Sequence, residues 1–218
     1  MKFYRYLETV RMKQTILMLF LVGTFLGAKA QRVIAECTVN YTIVTDNETD
    51  KEVAASFKAS TKTVYIKGNE SRTDLVTPSF SQSFLYDKSS GEAVVLREFG
   101  ENKFMTKLDN AKWRQQFARY LGAKLVVQPE TKSIAGYTCK KALLTLTDGK
   151  TFQLYYTPDM VPSVREFEYQ FKDIPGFVLE YEVEQGGKKI TYTASKVNLS
   201  PVPASKFDIP ESGYRILN

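Results

Sequence analysis

From Val33 onward the side chains alternate, with Val33, Ala35, Cys37, Val39, Tyr41 and Ile43 on one parity and Glu36, Thr38, Asn40 and Thr42 on the other. A period of two sends these sets to opposite faces of an extended chain, so the segment predicts a half-buried strand with Tyr41 toward the core. The pattern recurs. Thr63–Lys67 and Ser71–Val76 flank Gly68-Asn69 and predict a hairpin. Ser79–Tyr86, Glu92–Phe99 and Lys103–Leu108 predict a meander broken at Lys88-Ser89-Ser90-Gly91 and Gly100-Glu101-Asn102. Further strands are expected at Leu125–Gln128, Tyr137–Leu146, Lys150–Thr157, Glu166–Phe171, Phe177–Glu184 and Lys188–Val197. The alternation is cleanest in two of them. Phe167, Tyr169 and Phe171 oppose Glu166, Glu168 and Gln170, while Phe177, Leu179, Tyr181 and Val183 oppose Glu180, Glu182 and Glu184; the aromatic and aliphatic sets are expected buried and the acids exposed.

Helices are few. Residues 50–59 suit one short helix with Asp50 as its cap, and Asp109 can cap a second through Leu121 that lays Trp113, Phe117, Tyr120 and Leu121 on one face. Lys112, Arg114 and Arg119 keep the outer side of that helix wet. A transmembrane barrel would want about ten residues per crossing and aromatic girdles, whereas several strands here are nearer six. The expected fold is mainly β (α+β), a strongly curved antiparallel sheet or half-barrel with one or two covering helices.

The first thirty residues carry a different message. A basic start (Arg11, Lys13), an apolar run from Ile16 to Ala28 and the ending Ala28-Lys29-Ala30 form a secretory signal with an A-x-A site, read from Met12 as the better start. Cleavage is expected after Ala30, and the apolar run falls short of the roughly 20 residues a membrane span needs, so no transmembrane segment is expected after cleavage. The leader removes five basic residues (Lys2, Arg5, Arg11, Lys13, Lys29) and one acid (Glu8) from totals of 30 and 24, leaving a nearly balanced chain. No basic cluster interleaved with aromatics remains to suggest nucleic acid. Residues 31–218 suit a single exported domain, periplasmic or at the outer surface.

Both cysteines, Cys37 and Cys139, survive cleavage into a compartment where disulfides persist. A bridge would close a loop of about 100 residues and contribute roughly 4–5 kcal/mol; the alternative is two small buried apolar residues. Lipid anchoring at Cys37 fails because Glu36 precedes it.

The chemistry available is narrow. The chain has no histidine, which removes Ser-His-Asp and Cys-His catalysis and the commonest zinc ligand. Asp46, Glu48 and Asp50 lack the glycine and terminal glutamate of a calcium loop, Gly186-Gly187-Lys188 reads as a hairpin turn, and no metal or cofactor is expected. Ile174-Pro175-Gly176-Phe177 suits a type II turn with Gly176 at positive φ.

The segments Ile134-Ala135-Gly136-Tyr137-Thr138-Cys139-Lys140-Lys141-Ala142, Tyr155-Tyr156-Thr157 and Phe171-Lys172-Asp173-Ile174-Pro175-Gly176-Phe177-Val178-Leu179-Glu180 resemble the GLPGLI-type and related secreted proteins of Bacteroidetes. The ending Pro201–Pro210 is similar to the last segment of such domains. The resemblance implies a sheet like that of the LolA/LolB lipoprotein carriers.

Function is then expected to be non-enzymatic: an envelope protein holding a lipid, a lipoprotein acyl chain or another hydrophobic ligand in the curved sheet. The residues expected to line that site are Phe84, Tyr86, Phe104, Trp113, Phe117, Phe152, Tyr156, Tyr169, Phe171 and Tyr181. The expected partner is a lipid or acylated protein. The alternative is a protein-interaction or structural module with a packed core and an envelope protein partner, and the third reading is a carboxylate-dependent hydrolase.

Overall fold

The computed structural model describes residues 31–46 and 51–217. The predicted signal segment, Glu48 and the cap expected at Asp50 lie outside the described residues.

Strands dominate. β1 (Arg32–Ile34) and β2 (Glu36–Thr45) are followed by helix α1 (Lys51–Ala59), then β3 (Thr61–Lys67) and β4 (Glu70–Val76). β5 (Ser81–Asp87), β6 (Glu92–Phe99) and β7 (Asn102–Leu108) form the meander. Helix α2 (Asn110–Gln115) leads to β8 (Lys124–Ile134), β9 (Tyr137–Thr145), β10 (Thr151–Thr157) and β11 (Met160–Pro162). β12 (Phe177–Gln185), β13 (Lys188–Asn198) and β14 (Arg215–Leu217) complete the chain.

Twelve strands make one open sheet in the order β14-β7-β6-β5-β4-β3-β2-β13-β12-β10-β9-β8, while β1 and β11 form a separate parallel pair. All neighbours in the large sheet are antiparallel except β14 on β7. The decisive pairing is β2 with β13, which joins the first meander to the second across more than 140 residues of sequence. Phe84 on β5 and Tyr181 on β12 line one cavity, yet a flat sheet would hold those strands five spacings apart, about 24 Å. The sheet therefore curls strongly, and its concave face carries the main core.

Phase decides what enters that core. Cys37, Val39, Tyr41 and Ile43 are buried on β2, as the alternation predicts, with Val64 and Ile66 beside them on β3. The β3–β4 turn is Gly68-Asn69, with Gly68 at φ 59°. On the convex side Leu85, Val94, Leu96 and Met105 form a smaller cluster against Tyr214, under the C-terminal segment.

Three expectations need correction. Residues Glu166–Phe171 are a 3-10 segment and not a strand. β12, the strand that follows, is paired on both edges by β10 and β13, so the segment finds no place beside it. Glu168 has non-helical angles (φ −126°, ψ 87°) that split the segment into two turns and bring its side chain inward. The second helix is shorter than predicted. Asp109 does cap it, accepting from the Lys112 amide at 2.8 Å, but the chain leaves α geometry at Phe117 and a single 3-10 turn, Ala118–Tyr120, follows; Leu121 is exposed. Finally, Gly176 does not have positive φ. Its role is close approach: a Cβ there would stand 2.2 Å from the Thr157 carbonyl oxygen, and its amide donates to the Ile174 oxygen at 2.9 Å.

The acids of β12 also depart from expectation. Glu180 is buried on the convex face, where it accepts from Lys132 at 2.5 Å and from Thr193 at 2.9 Å. Glu182 is half-buried beside Gln153. The long β8, with a bulge between Val127 and Thr131 that accommodates Pro129, carries Lys132 to Glu180.

Candidate functional site

The site grows from one residue out of character. Lys62 shares its face of β3 with Val64 and Ile66, so the strand period drives an ammonium into the apolar interior. It sits directly across from Tyr41 on one side and Leu75 on the other. Its Nζ lies 5.3 Å from the centre of the Tyr41 ring, 4.8 Å from Tyr181 and 5.4 Å from Tyr192. Three π faces turned toward one cation partly replace its lost water.

Those rings are fixed by the sheet. Tyr181 and Tyr192 are cross-strand partners stacked at 4.8 Å and 5°, and Tyr41 meets Tyr181 edge-on at 6.3 Å while its hydroxyl donates to the Val178 oxygen at 2.7 Å. Burial pushes the Tyr41 and Tyr181 phenols well above their usual range, and Tyr192 up to about 12, with the charge of Glu168 adding to the effect in each case. All three stay protonated. Burial lowers the Lys62 pKa from the ordinary lysine value, against the opposing pull of the Glu168 charge and its hydrogen bond.

Lys62 donates to the Glu168 carboxylate and to the Tyr181 oxygen. The side chains are 5% and 13% exposed respectively, so this is a buried ion pair. Its halves rest on different supports. Lys62 belongs to a strand hydrogen-bonded on both edges, whereas Glu168 belongs to the split 3-10 segment between β11 and β12.

That segment acts as a strap across the concave face, tied to α2. Trp113, buried, donates from Nε1 to the Glu166 oxygen at 3.3 Å; it stacks on Tyr86 at 5.6 Å, tilts on Phe84 at 5.9 Å and meets Phe117 edge-on at 5.0 Å. Phe117 in turn stacks on Tyr169 at 6.1 Å, and Phe171 meets Tyr181 at 4.9 Å. Between strap, helix and sheet lies a cavity of about 180 Å³, lined by Lys62, Thr73, Leu75, Phe84, Trp113, Phe117, Phe167, Glu168, Gln170, Tyr181 and Tyr192. The strap's own polar atoms are incompletely satisfied, since Glu166 Oε2 and Gln170 Oε1 are buried without a hydrogen-bond partner among the described residues.

Of the residues expected to bind a ligand, Phe84, Trp113, Phe117 and Tyr181 line this cavity. Tyr86 backs Trp113, and Tyr169 and Phe171 belong to the strap. Phe152 borders an adjacent void of about 10 Å³ with Phe171 and Tyr181. Two residues lie elsewhere. Tyr156 is buried under Gly176 and Phe104 packs with Phe99 at 6.5 Å, neither lining the cavity, because strand parity fixes a face and not a position along it. Lys62, Glu168 and Gln170 were not anticipated. The signal for Lys62 was present, a lysine in phase with Val64 and Ile66.

Cys37 and Cys139 are buried free thiols and no disulfide joins them. Burial raises them to about 12 and about 11, the values of inert thiols. Among the described residues no cluster of His, Cys, Asp or Glu is placed to hold a metal ion, and no helix is long and apolar enough to cross a membrane.

No family model matches the sequence, and no curated protein matches it. Among solved structures, PNGF-II aligns at 15% identity over 83% of this chain and 30% of its own, with a TM-score of 0.48. MucB aligns at 10% identity over 81% of this chain and 58% of its own, with a TM-score of 0.43. The MucA/MucB complex of Pseudomonas aeruginosa gives 10% identity, 80% and 56% coverage and a TM-score of 0.42. This chain thus spans under two thirds of each neighbour's length.

Proposed function

We propose that this is an exported, non-enzymatic envelope protein of LolA-like kind that holds the apolar part of a lipid or acylated protein in the cleft between the concave sheet and the Trp113 helix. The observation that carries the reading is the cavity of about 180 Å³ walled by Leu75, Phe84, Trp113, Phe117 and Phe167. A cavity near 150 Å³ can admit benzene, so this one takes a ring or a short stretch of acyl chain, with the remainder lying along the cleft. Export rests on the leader sequence.

The test is titration of the purified protein with saturated acyl ligands of increasing length, followed by the fluorescence of Trp113, its single tryptophan. Each methylene entering the cavity is worth about 0.8 kcal/mol, roughly fourfold in affinity, and the gain stops once the cavity is full. At a hundredfold excess over Kd the ligand adds about 2.7 kcal/mol of stability, which for a domain of this size raises Tm by about 5–10 °C. No fluorescence change, no thermal shift and no lipid extracted from protein taken from its own envelope would together refute it.

A second reading, an interaction module for an envelope protein, is favoured by one surface. Leu121, Val126 and Val127 are exposed just before and along edge strand β8. An open edge of this kind can accept a strand from a partner. Substituting Val126 and Val127 by lysine would abolish such capture and leave ligand titration unchanged.

A further inference from the structure

Resting on the cleft reading, we propose that the ligand is an amphiphile with a carboxylate head, which replaces Glu168 as the counterion of Lys62 while its chain lies against Leu75, Phe84 and Trp113.

The two halves of the ion pair are held unequally. Lys62 is held by a strand paired on both edges, and three tyrosine rings surround its Nζ. The cation has nowhere to go. Glu168 reaches it from a segment whose backbone is broken at that residue and whose side chain keeps a path to solvent. Flanking it, Glu166 Oε2 and Gln170 Oε1 are buried without partners among the described residues, a cost that outward movement of the strap relieves. Bringing in one carboxylate while another leaves conserves the charge of the cavity, so the exchange avoids the penalty of burying a lone ion.

The donors suit a small monoanion. Lys62 supplies an ammonium N–H, and the Tyr181 oxygen already accepts from Lys62, which leaves its own O–H for an acceptor. Tyr181 remains a donor because burial, the largest cause, holds its pKa well above the usual value. One cation and one hydroxyl match the two oxygens of a carboxylate. A phosphate dianion would bring a second charge with no second cation among the cavity-lining residues. Gln170, on the same wall, offers an amide beside the exchanged head.

The test compares decanoate, 1-decanol and decylamine, which share a chain and differ in the head, by Trp113 fluorescence on the purified protein. Decanoate is expected to bind at least about tenfold tighter than decanol, the fold-change of one charge-assisted hydrogen bond, and decylamine weakest. Glu168→Gln removes the competing carboxylate and widens the decanoate-to-decanol ratio; Lys62→Met brings it near one. Equal affinity of decanoate and decanol, or preference for decylamine, overturns the carboxylate head and leaves the apolar cleft standing. Binding of none of the three overturns both. Because the wild-type ratio and Glu168→Gln suffice, failure of Lys62→Met to fold does not blunt the test.

Discussion

Removing Glu168 should cost more stability than removing Lys62, although the two form one ion pair. Glu168→Gln strips the carboxylate from an ammonium whose side chain is 5% exposed and which cannot leave its strand. Breaking a buried pair from one side costs about 3–5 kcal/mol. The Tyr181 oxygen and the three rings remain as partners for Lys62, which places the value near the lower end, at about 3 kcal/mol. For a domain of this size that is a Tm loss of about 6–12 °C. Lys62→Met leaves Glu168 on the strap, from which it can turn to water, so its cost should be about 1 kcal/mol. The pair Lys62→Met with Glu168→Leu should return close to wild type, as apolar replacements of buried ion pairs do. The sign with pH follows from Lys62. Its folded pKa lies below the unfolded value, so between the two the unfolded chain binds more protons and stability rises with pH. Loss of Glu168 removes the contributions that raise that pKa, so the Glu168→Gln deficit should shrink as pH rises from 7 toward 10. Urea unfolding of the four proteins at several pH values measures all of this. A larger cost for Lys62→Met than for Glu168→Gln, or a deficit that grows with pH, would refute the assignment of fixed cation and movable anion.

Three further expectations concern the frame. Gly176→Ala drives a Cβ to 2.2 Å from the Thr157 carbonyl oxygen, and should cost about 3 kcal/mol in urea unfolding; Gly68→Ala, which meets nothing within 4 Å but keeps φ 59°, should cost about 1. Glu180→Ala should destabilise by about 1–2 kcal/mol through loss of Lys132 and Thr193, against less than about 0.5 for exposed Glu184→Ala. At pH 8 both thiols should react with an alkylating reagent only after denaturation, and reduction should leave the intact mass unchanged, because both thiols are buried and their pKa values lie near 12 and 11; rapid labelling of the native protein, or a mass change of two hydrogens, would count against it.

Strand parity carried most of the fold. The β3–β4 hairpin, the meander through β7, and strands β9, β10, β12 and β13 lie within a few residues of their expected places, because each alternates against a water-facing side and is bounded by turn residues. Where both sides are covered the rule weakens. Glu180 occupies the outward parity of β12 yet is buried, since β8 brings Lys132 over that face. Residues 166–171 alternate as cleanly as β12 and are no strand at all. Local pattern cannot report that the neighbouring sheet edges are taken, a fact fixed by the pairing of β12 with β10 and β13.

The site shows the same division more sharply. Phe84, Trp113, Phe117 and Tyr181 could be named as apolar residues on inner faces, but the cavity exists only because β2 and β13 pair and curl the sheet until β5 and β12 share a wall. Lys62 was legible on its own, as a cation in phase with Val64 and Ile66. Its partner was not, for Glu168 lies 106 residues away on a segment whose pattern pointed it outward. Stability does not account for the pair, because desolvating two charges offsets their attraction and a methionine and a leucine would serve the core as well. An ammonium fixed in an aromatic wall, opposite a carboxylate on the split 3-10 segment, is the arrangement on which the proposed anion exchange rests.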